Sequence, residues 1–151
     1  MFVPSWLDSS ALQYRLAYQG NQRRQNYAES RWVAPPAELV SNTLRKRMFS
    51  GEAAGACRLR VDLDEFVQVF DTADASRAAV EARVQLLAHG GELLARHSFS
   101  LSRAAASADA RGAVAAFSGA VEDLSTALHD WLGGLGGETK QGSNIATRCR
   151  I

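Results

Sequence analysis

The chain has 151 residues, 46% hydrophobic and 22% charged, the size and balance of a single globular domain with a sizeable core. A formal net charge of +1 lacks the clustered basic excess of a nucleic-acid groove, and no apolar run approaches the ~20 residues that span a bilayer. Met1-Phe2-Val3-Pro4-Ser5-Trp6 has neither the basic start nor the apolar stretch of a secretory signal, so read literally the chain stays where it is made.

Residues 3–8 form a loop-like lead-in. Over residues 11–18, Leu12, Tyr14, Leu16 and Tyr18 alternate with Gln13, Arg15 and Ala17, the period of two of a half-buried strand. The polar stretch 19–25 holds the turn pair Gly20-Asn21, and residues 26–32 resume an extended pattern. Together they predict a hairpin of 12–18 with 27–32. Pro35-Pro36 suits the first turn of a helix, where a missing N–H costs nothing. Glu38 lies near the positive end of its dipole, and Arg45, Lys46 and Arg47 lie near the negative end. Leu39, Val40, Thr43, Leu44 and Met48 share one side, and Gly51 is the expected stop. The basic run reads as a solvated helix end rather than a phosphate or anionic-lipid contact.

Residues 57–101 read as three strands in succession. Leu59, Val61 and Leu63 share one face, with Arg58, Arg60, Asp62 and Asp64 on the other. After Asp71-Thr72-Ala73-Asp74, Ala78, Val80, Ala82, Val84 and Leu86 alternate with polar residues. Residues 76–87 also have a helical spacing at Val80, Val84 and Leu87, but alternation matches more positions and predicts a strand. The corner His89-Gly90-Gly91 supplies the positive φ of a tight turn. The third strand, 92–101, places Leu93, Ala95, Phe99 and Leu101 on one side. Asp109 is the expected cap of a last helix running to about Leu132, before Gly133-Gly134. Its stripe is Val114, Phe117, Val121, Leu124, Leu128 and Trp131, suited to covering the apolar face of the meander. Residues 132–137 read as a flexible helix exit and 136–151 as a mobile tail.

The expected fold class is therefore α+β: a mainly antiparallel sheet with a C-terminal three-strand meander, packed by two amphipathic helices on one face. The expected organisation is one domain over residues 1–135 plus the tail.

Chemistry is sparse. His89, His97 and His129 fall in a turn, a strand and a helix without paired ligand spacing, and His97 reads as a half-buried imidazole satisfied within the fold. Gly133-Gly134-Leu135-Gly136-Gly137 follows a helix rather than preceding one, so it is no phosphate loop, and no serine sits in a nucleophile elbow. Asp62 and Asp64 point together, but Arg58 and Arg60 beside them suggest a neutralised wet face rather than a catalytic pair. No catalytic residue, metal ligand or cofactor is expected. Cys57 and Cys149 are compatible with a disulfide, which spacing alone does not establish; the favoured reading is two separate thiols. Ala54-Gly55-Ala56-Cys57 lacks the apolar run that precedes a lipidated cysteine. The candidate contact residues are aromatic: Trp6, Tyr14, Tyr18, Tyr27 and Trp32, which read first as a cross-strand core cluster and second as a partner surface.

The run Tyr27-Ala28-Glu29-Ser30-Arg31-Trp32-Val33-Ala34-Pro35-Pro36, followed by a helix, resembles the ABC-type transport auxiliary lipoprotein family. Pro4-x-Trp6-Leu7-Asp8 ahead of Leu12-Gln13-Tyr14-Arg15 is similar to it too, as is a meander closed by a long helix, over roughly residues 3–132. The resemblance implies a periplasmic protein, tethered to the outer membrane of a Gram-negative envelope by a lipidated cysteine. Such proteins are non-catalytic partners of ABC systems whose MCE-domain subunits move lipids. The family's signal peptide, lipidated cysteine and first strand find no counterpart here; either the chain is N-terminally truncated, with one sheet edge left unpaired, or it does not reach the periplasm. The partners implied are MCE-domain or other ABC transporter subunits, or a second copy of the chain, with no nucleic acid. The alternatives are a small domain binding a lipid or other apolar ligand between the last helix and the sheet, and a small hydrolase using Asp62, Asp64 or a serine. The former needs a cavity, and a close-packed helix stripe predicts none.

Overall fold

The alternation of the chain's apolar residues is realised as one five-stranded sheet: β1 (Ala11–Leu16), β2 (Gln25–Arg31), β3 (Arg58–Phe70), β4 (Ser76–Leu87) and β5 (Leu93–Ala104). The structure is a computed structural model and describes residues 2–20, 23–48, 57–135 and Cys149. Strand order is β2-β1-β3-β4-β5, antiparallel throughout except for a short parallel pairing of β1 with β3 at Tyr14↔Gln68 to Leu16↔Phe70. Helices α1 (Pro36–Met48) and α2 (Ala110–Leu135) pack on one face. This is the mixed α+β architecture expected from the sequence, with residues 76–87 forming a strand. The turn residue Asn21, the stop residue Gly51 and the segment 136–151 apart from Cys149 lie outside the described residues.

The meander departs from strict alternation twice. In β3 the register slips between Leu63↔Ala82 and Glu65↔Glu81, so Asp64 is the extra residue of a bulge. Before it, Leu63 faces the helices; after it, Phe66 does, and Val67 and Val69 are buried outside that cluster. In β5 a second slip, between Leu86↔Ala95 and Leu87↔Leu93, overturns the expected inward position of Leu93, which is 47% exposed. Leu94 packs with Ala95 instead. At the β4–β5 corner, Gly91 alone has the positive φ, +91°, and its N–H donates to the Ala88 carbonyl at 2.8 Å.

Helix α2 begins as expected at Asp109, whose Oδ1 accepts from the Gly112 N–H at 2.8 Å and from the Ser107 hydroxyl at 2.6 Å. These two donors, the Ser107 hydroxyl first, hold the Asp109 carboxyl below the usual carboxylate range. Gly112 is required there, because a Cβ would stand 2.1 Å from the Ser107 carbonyl oxygen. The buried stripe differs from the expected one. Val114 is 43% exposed, and Ala113, Ala116 and Ala120 lie inward with Phe117, Val121, Leu124 and Leu128. Small residues on α2 face Ala78 and Ala82 on β4, so the helix seats close to the sheet. Gly133 and Gly134 continue the helix to Leu135 rather than ending it.

Four elements meet on one buried amide. Gln68 of β3, fully buried, donates from Nε2 to Ser76 Oγ (2.8 Å) and to the Asp109 carbonyl (3.2 Å). Its Oε1 accepts from the Tyr27 hydroxyl at 2.6 Å. Burial, with Tyr14 and Asp109 nearby, pushes the Tyr27 phenol up to about 12. The amide thus ties β2, β3, the start of β4 and the residue capping α2.

The two thiols are not separate. Cys57 and Cys149 form a disulfide with Cα atoms 4.9 Å apart across 92 positions of sequence. Cys149 is buried against Leu86, with Leu59, Leu94, Trp131 and Leu135 around the pair. Pairing supplies Cys149 with an apolar seat that the polar sequence around it gave no reason to expect.

Two outcomes are expected. Reduction, or Cys149→Ser, should lower unfolding free energy by about 2–5 kcal/mol, the usual range for a bond closing a long loop, read as a shift in urea midpoint between oxidised and reduced protein. Tyr27→Phe should cost about 1–3 kcal/mol, because Gln68 Oε1 is left buried without its donor. In the unmodified protein the phenol binds its proton more tightly folded than unfolded. Its contribution is therefore complete below pH 10 and fades as pH rises from about 10 through about 12. Equal pH dependence of Tyr27→Phe and the parent over that window would contradict the assignment.

Candidate functional site

The five sequence-selected aromatics do not form one cluster: Tyr27 and Trp32 pack against the same core but meet different rings, and Trp6 and Tyr18 lie apart from them. Tyr14 and Tyr27 meet across the β1–β2 pair with ring centroids 4.7 Å apart, and Tyr14 also meets Phe70 edge-on at 5.9 Å. Trp32, just past β2, turns towards the helices. Its ring meets Phe66 at 5.8 Å and Phe117 at 5.5 Å, both edge-on, while Phe66 and Phe117 stack at 4.3 Å. Trp6 lies half-exposed in a 3-10 turn (Ser5–Leu7), under the guanidinium of Arg24 at 5.0 Å. Arg24 in turn pairs with Glu65, from Nε at 3.2 Å and from its terminal nitrogen. Tyr18 sits exposed in a second 3-10 turn (Ala17–Gln19) that follows β1 where the sequence suggested more strand.

Trp32 marks the feature that the aromatic pattern did not reveal. Between α1, α2 and the sheet lies a groove of about 230 Å³, lined by Trp32, Phe66, Phe117, Leu39, Val40 and Val121. The expectation of a helix stripe packed without a cavity is corrected here. The stacked rings of Phe66 and Phe117 are larger than the alanines that seat α2 elsewhere, and α1 reaches α2 without filling the space beside them. Arg47 and Glu122 line the groove at its solvent side and pair with each other at 2.9 Å, each about half-exposed. Leu39, Val40 and Arg47 were legible only as parts of a helix face and a helix end.

Other candidate chemistry resolves into structure. Arg60 donates to Asp62 at 3.1 Å, and Arg83 holds Asp64 through two bonds of 2.7 and 2.8 Å. That charge pair raises the Arg83 pKa further above its ordinary value. Asp64, as the bulge residue, therefore faces a cation from β4 instead of standing free beside Asp62. His97 is exposed rather than half-buried, its ring held between Phe99 (4.7 Å) and Trp131 (5.8 Å). Among the described residues no group of three His, Cys, Asp or Glu is placed to hold a metal, and no helix is long and apolar enough to cross a membrane.

Two outer strands, β2 and β5, end the sheet. β5 offers 12 residues, with Ser98, Ser100 and Ser102 exposed along it. On the β1 side of β3, Phe2 adds a parallel bridge at Asp62, its carbonyl accepting from the Leu63 N–H at 2.9 Å. The edge there is thus engaged by the lead-in at one point, with Phe2 lying under Arg60 at 5.1 Å.

Comparison with known proteins follows the same outline. The Xanthomonas campestris protein XCC0632, of the DUF330 family, superposes with a TM-score of 0.76 at 22% identity, covering 86% of this chain and 78% of that one. A second crystal structure, of an uncharacterized protein, gives a TM-score of 0.69 at 15% identity and covers 84% of each chain. These likenesses concern the fold. No curated protein matches the chain. The model of the ABC-type transport auxiliary lipoprotein component matches residues 1–128, the sheet and most of α2. The chain belongs to the ABC-type transport auxiliary lipoprotein family.

Proposed function

We propose that the chain is a non-catalytic auxiliary subunit of an MCE-associated lipid transport system of the Gram-negative envelope, docking transporter components at the outer membrane. The family supplies the transport association and the lipoprotein character, and with them an envelope location. The observation that carries the reading furthest is the Cys57–Cys149 disulfide, since such bonds form and persist in oxidising compartments such as the bacterial periplasm. It supports export of the chain. Because the Cys57 sulfur is spent in that bond, a lipid anchor would have to lie elsewhere. The pairing of Asp62 and Asp64 with arginines favours a subunit that works without a chemical step.

The feature that supports docking is the outer edge of the sheet. The outer edge of β5 presents main-chain donors and acceptors over 12 residues, which an extended segment of an MCE-type subunit pairs with by adding a strand. β5 carries no proline, and its one charge directed towards the helices, Arg103, is drawn onto Asp123 of α2 at 3.0 Å, so the main-chain edge beside exposed Leu93 and the serines stays open to pairing.

A photo-crosslinking residue at Ser100 of β5 should trap an MCE-domain protein in envelope extracts, and one at exposed Ala115 of α2 should not. Capture of cytosolic proteins alone, or equal trapping from both positions, would overturn the reading.

A further inference from the structure

The groove between α1 and α2 has two properties that bear on an occupant. Its walls are aliphatic and aromatic, and its rim carries one cation and one anion side by side, Arg47 and Glu122. An engineered apolar cavity of about 150 Å³ accepts benzene, six carbons. Scaled by volume, 230 Å³ corresponds to roughly nine carbons, a medium stretch of alkyl chain. The shape is open on one side, so a chain can enter from the rim and project beyond it.

The rim selects the headgroup. A simple anion on Arg47 would displace Glu122 and leave that carboxylate facing the incoming charge. A simple cation would do the reverse to Arg47. A head carrying both charges exchanges one surface ion pair for two, phosphate on the guanidinium and ammonium on the carboxylate, with no charge left unmatched. The hydroxyl of Ser118 and that of Thr43, which donates to the Leu39 carbonyl at 3.0 Å, add polar edges beside the rim.

We propose that this groove takes one acyl chain of a zwitterionic phospholipid, with the phosphate on Arg47 and the ammonium on Glu122. The terminal carbons lie against the edges of the buried stacked pair Phe66–Phe117, with the partly exposed ring of Trp32 beside them. The proposal stands on the groove alone and does not rest on the transporter reading; failure of the β5 crosslink leaves it untouched, and failure of binding leaves β5 docking untouched.

The test uses 1-decanoyl-lysophosphatidylethanolamine as monomer, against decanoate and decanol, with Trp32 as the reporter in a chain carrying W6F and W131F. The zwitterion should shift Trp32 emission and bind at least fivefold more tightly than decanoate or decanol. Native mass spectrometry should show one equivalent bound. Leu39→Trp, which fills the groove from a partly exposed helix position, should weaken all three at least tenfold. Glu122→Gln, an exposed change that leaves the core alone, should remove the preference for the zwitterion and leave decanol affinity as it was; it serves as the deciding variant if Leu39→Trp fails to fold. Equal affinity for the three probes, retention of the zwitterion preference in Glu122→Gln, or a concentration-dependent dimer broken by Leu39→Trp would overturn the proposal, the last by giving the groove to a second copy.

Discussion

One side-chain amide decides how this sheet and its last helix fit together. Gln68 is a polar residue at a fully buried position of a long central strand, where an unmatched amide would cost several kcal/mol. Its three hydrogen bonds reach β2, the first residue of β4 and the residue capping α2, so each of those elements has one placement that satisfies it. An apolar residue in its place could tolerate several offsets of the neighbouring strands. The amide converts a greasy interface, which is indifferent to small slips, into one with a preferred register.

Around that anchor, residue size varies along the helix–sheet boundary and produces two kinds of contact. Alanines on α2 and β4 bring the backbones together in the middle of the domain. Towards α1 the same helix presents Phe117 to Phe66 and Trp32, and the rings hold a space open that α1 borders without filling. Aromatic stacking contributes on the order of 1 kcal/mol per pair beyond buried area, which offsets part of what incomplete packing there costs. The chain thus keeps an unfilled apolar groove beside a closely packed core.

Much of this was legible beforehand. Alternation in β4, proline at the start of α1 and aspartate before α2 each reflect a local rule, and the structure follows them. By contrast, β1 buries Gln13 beside Leu12 and β3 buries Asp62 between Val61 and Leu63, both expected on the wet face. The bulges at Asp64 and Leu94 escaped notice because an inserted residue carries no residue-type signature; only the partner strand reveals the slip. Val114 looked like a core residue by its chemistry, but the close approach of α2 gave the inward position to Ala113, which has room where a valine does not. Gly133 and Gly134 have low helix propensity, yet flanking Trp131, Leu132 and Leu135 pack at that end of α2 and override it. The aromatics were read as one cluster because sequence proximity hides which neighbours each ring meets. The groove left no periodic signal, since it arises from two helices and a strand meeting at particular distances.

The bond between Cys57 and Cys149 encloses β3, β4, β5 and α2 within one covalent ring. A protease that nicks any linker inside that ring leaves a molecule of undiminished mass, its two pieces still held together and separable only once a thiol reagent opens the ring. Damage that would release fragments from a linear chain is, in this one, retained in place.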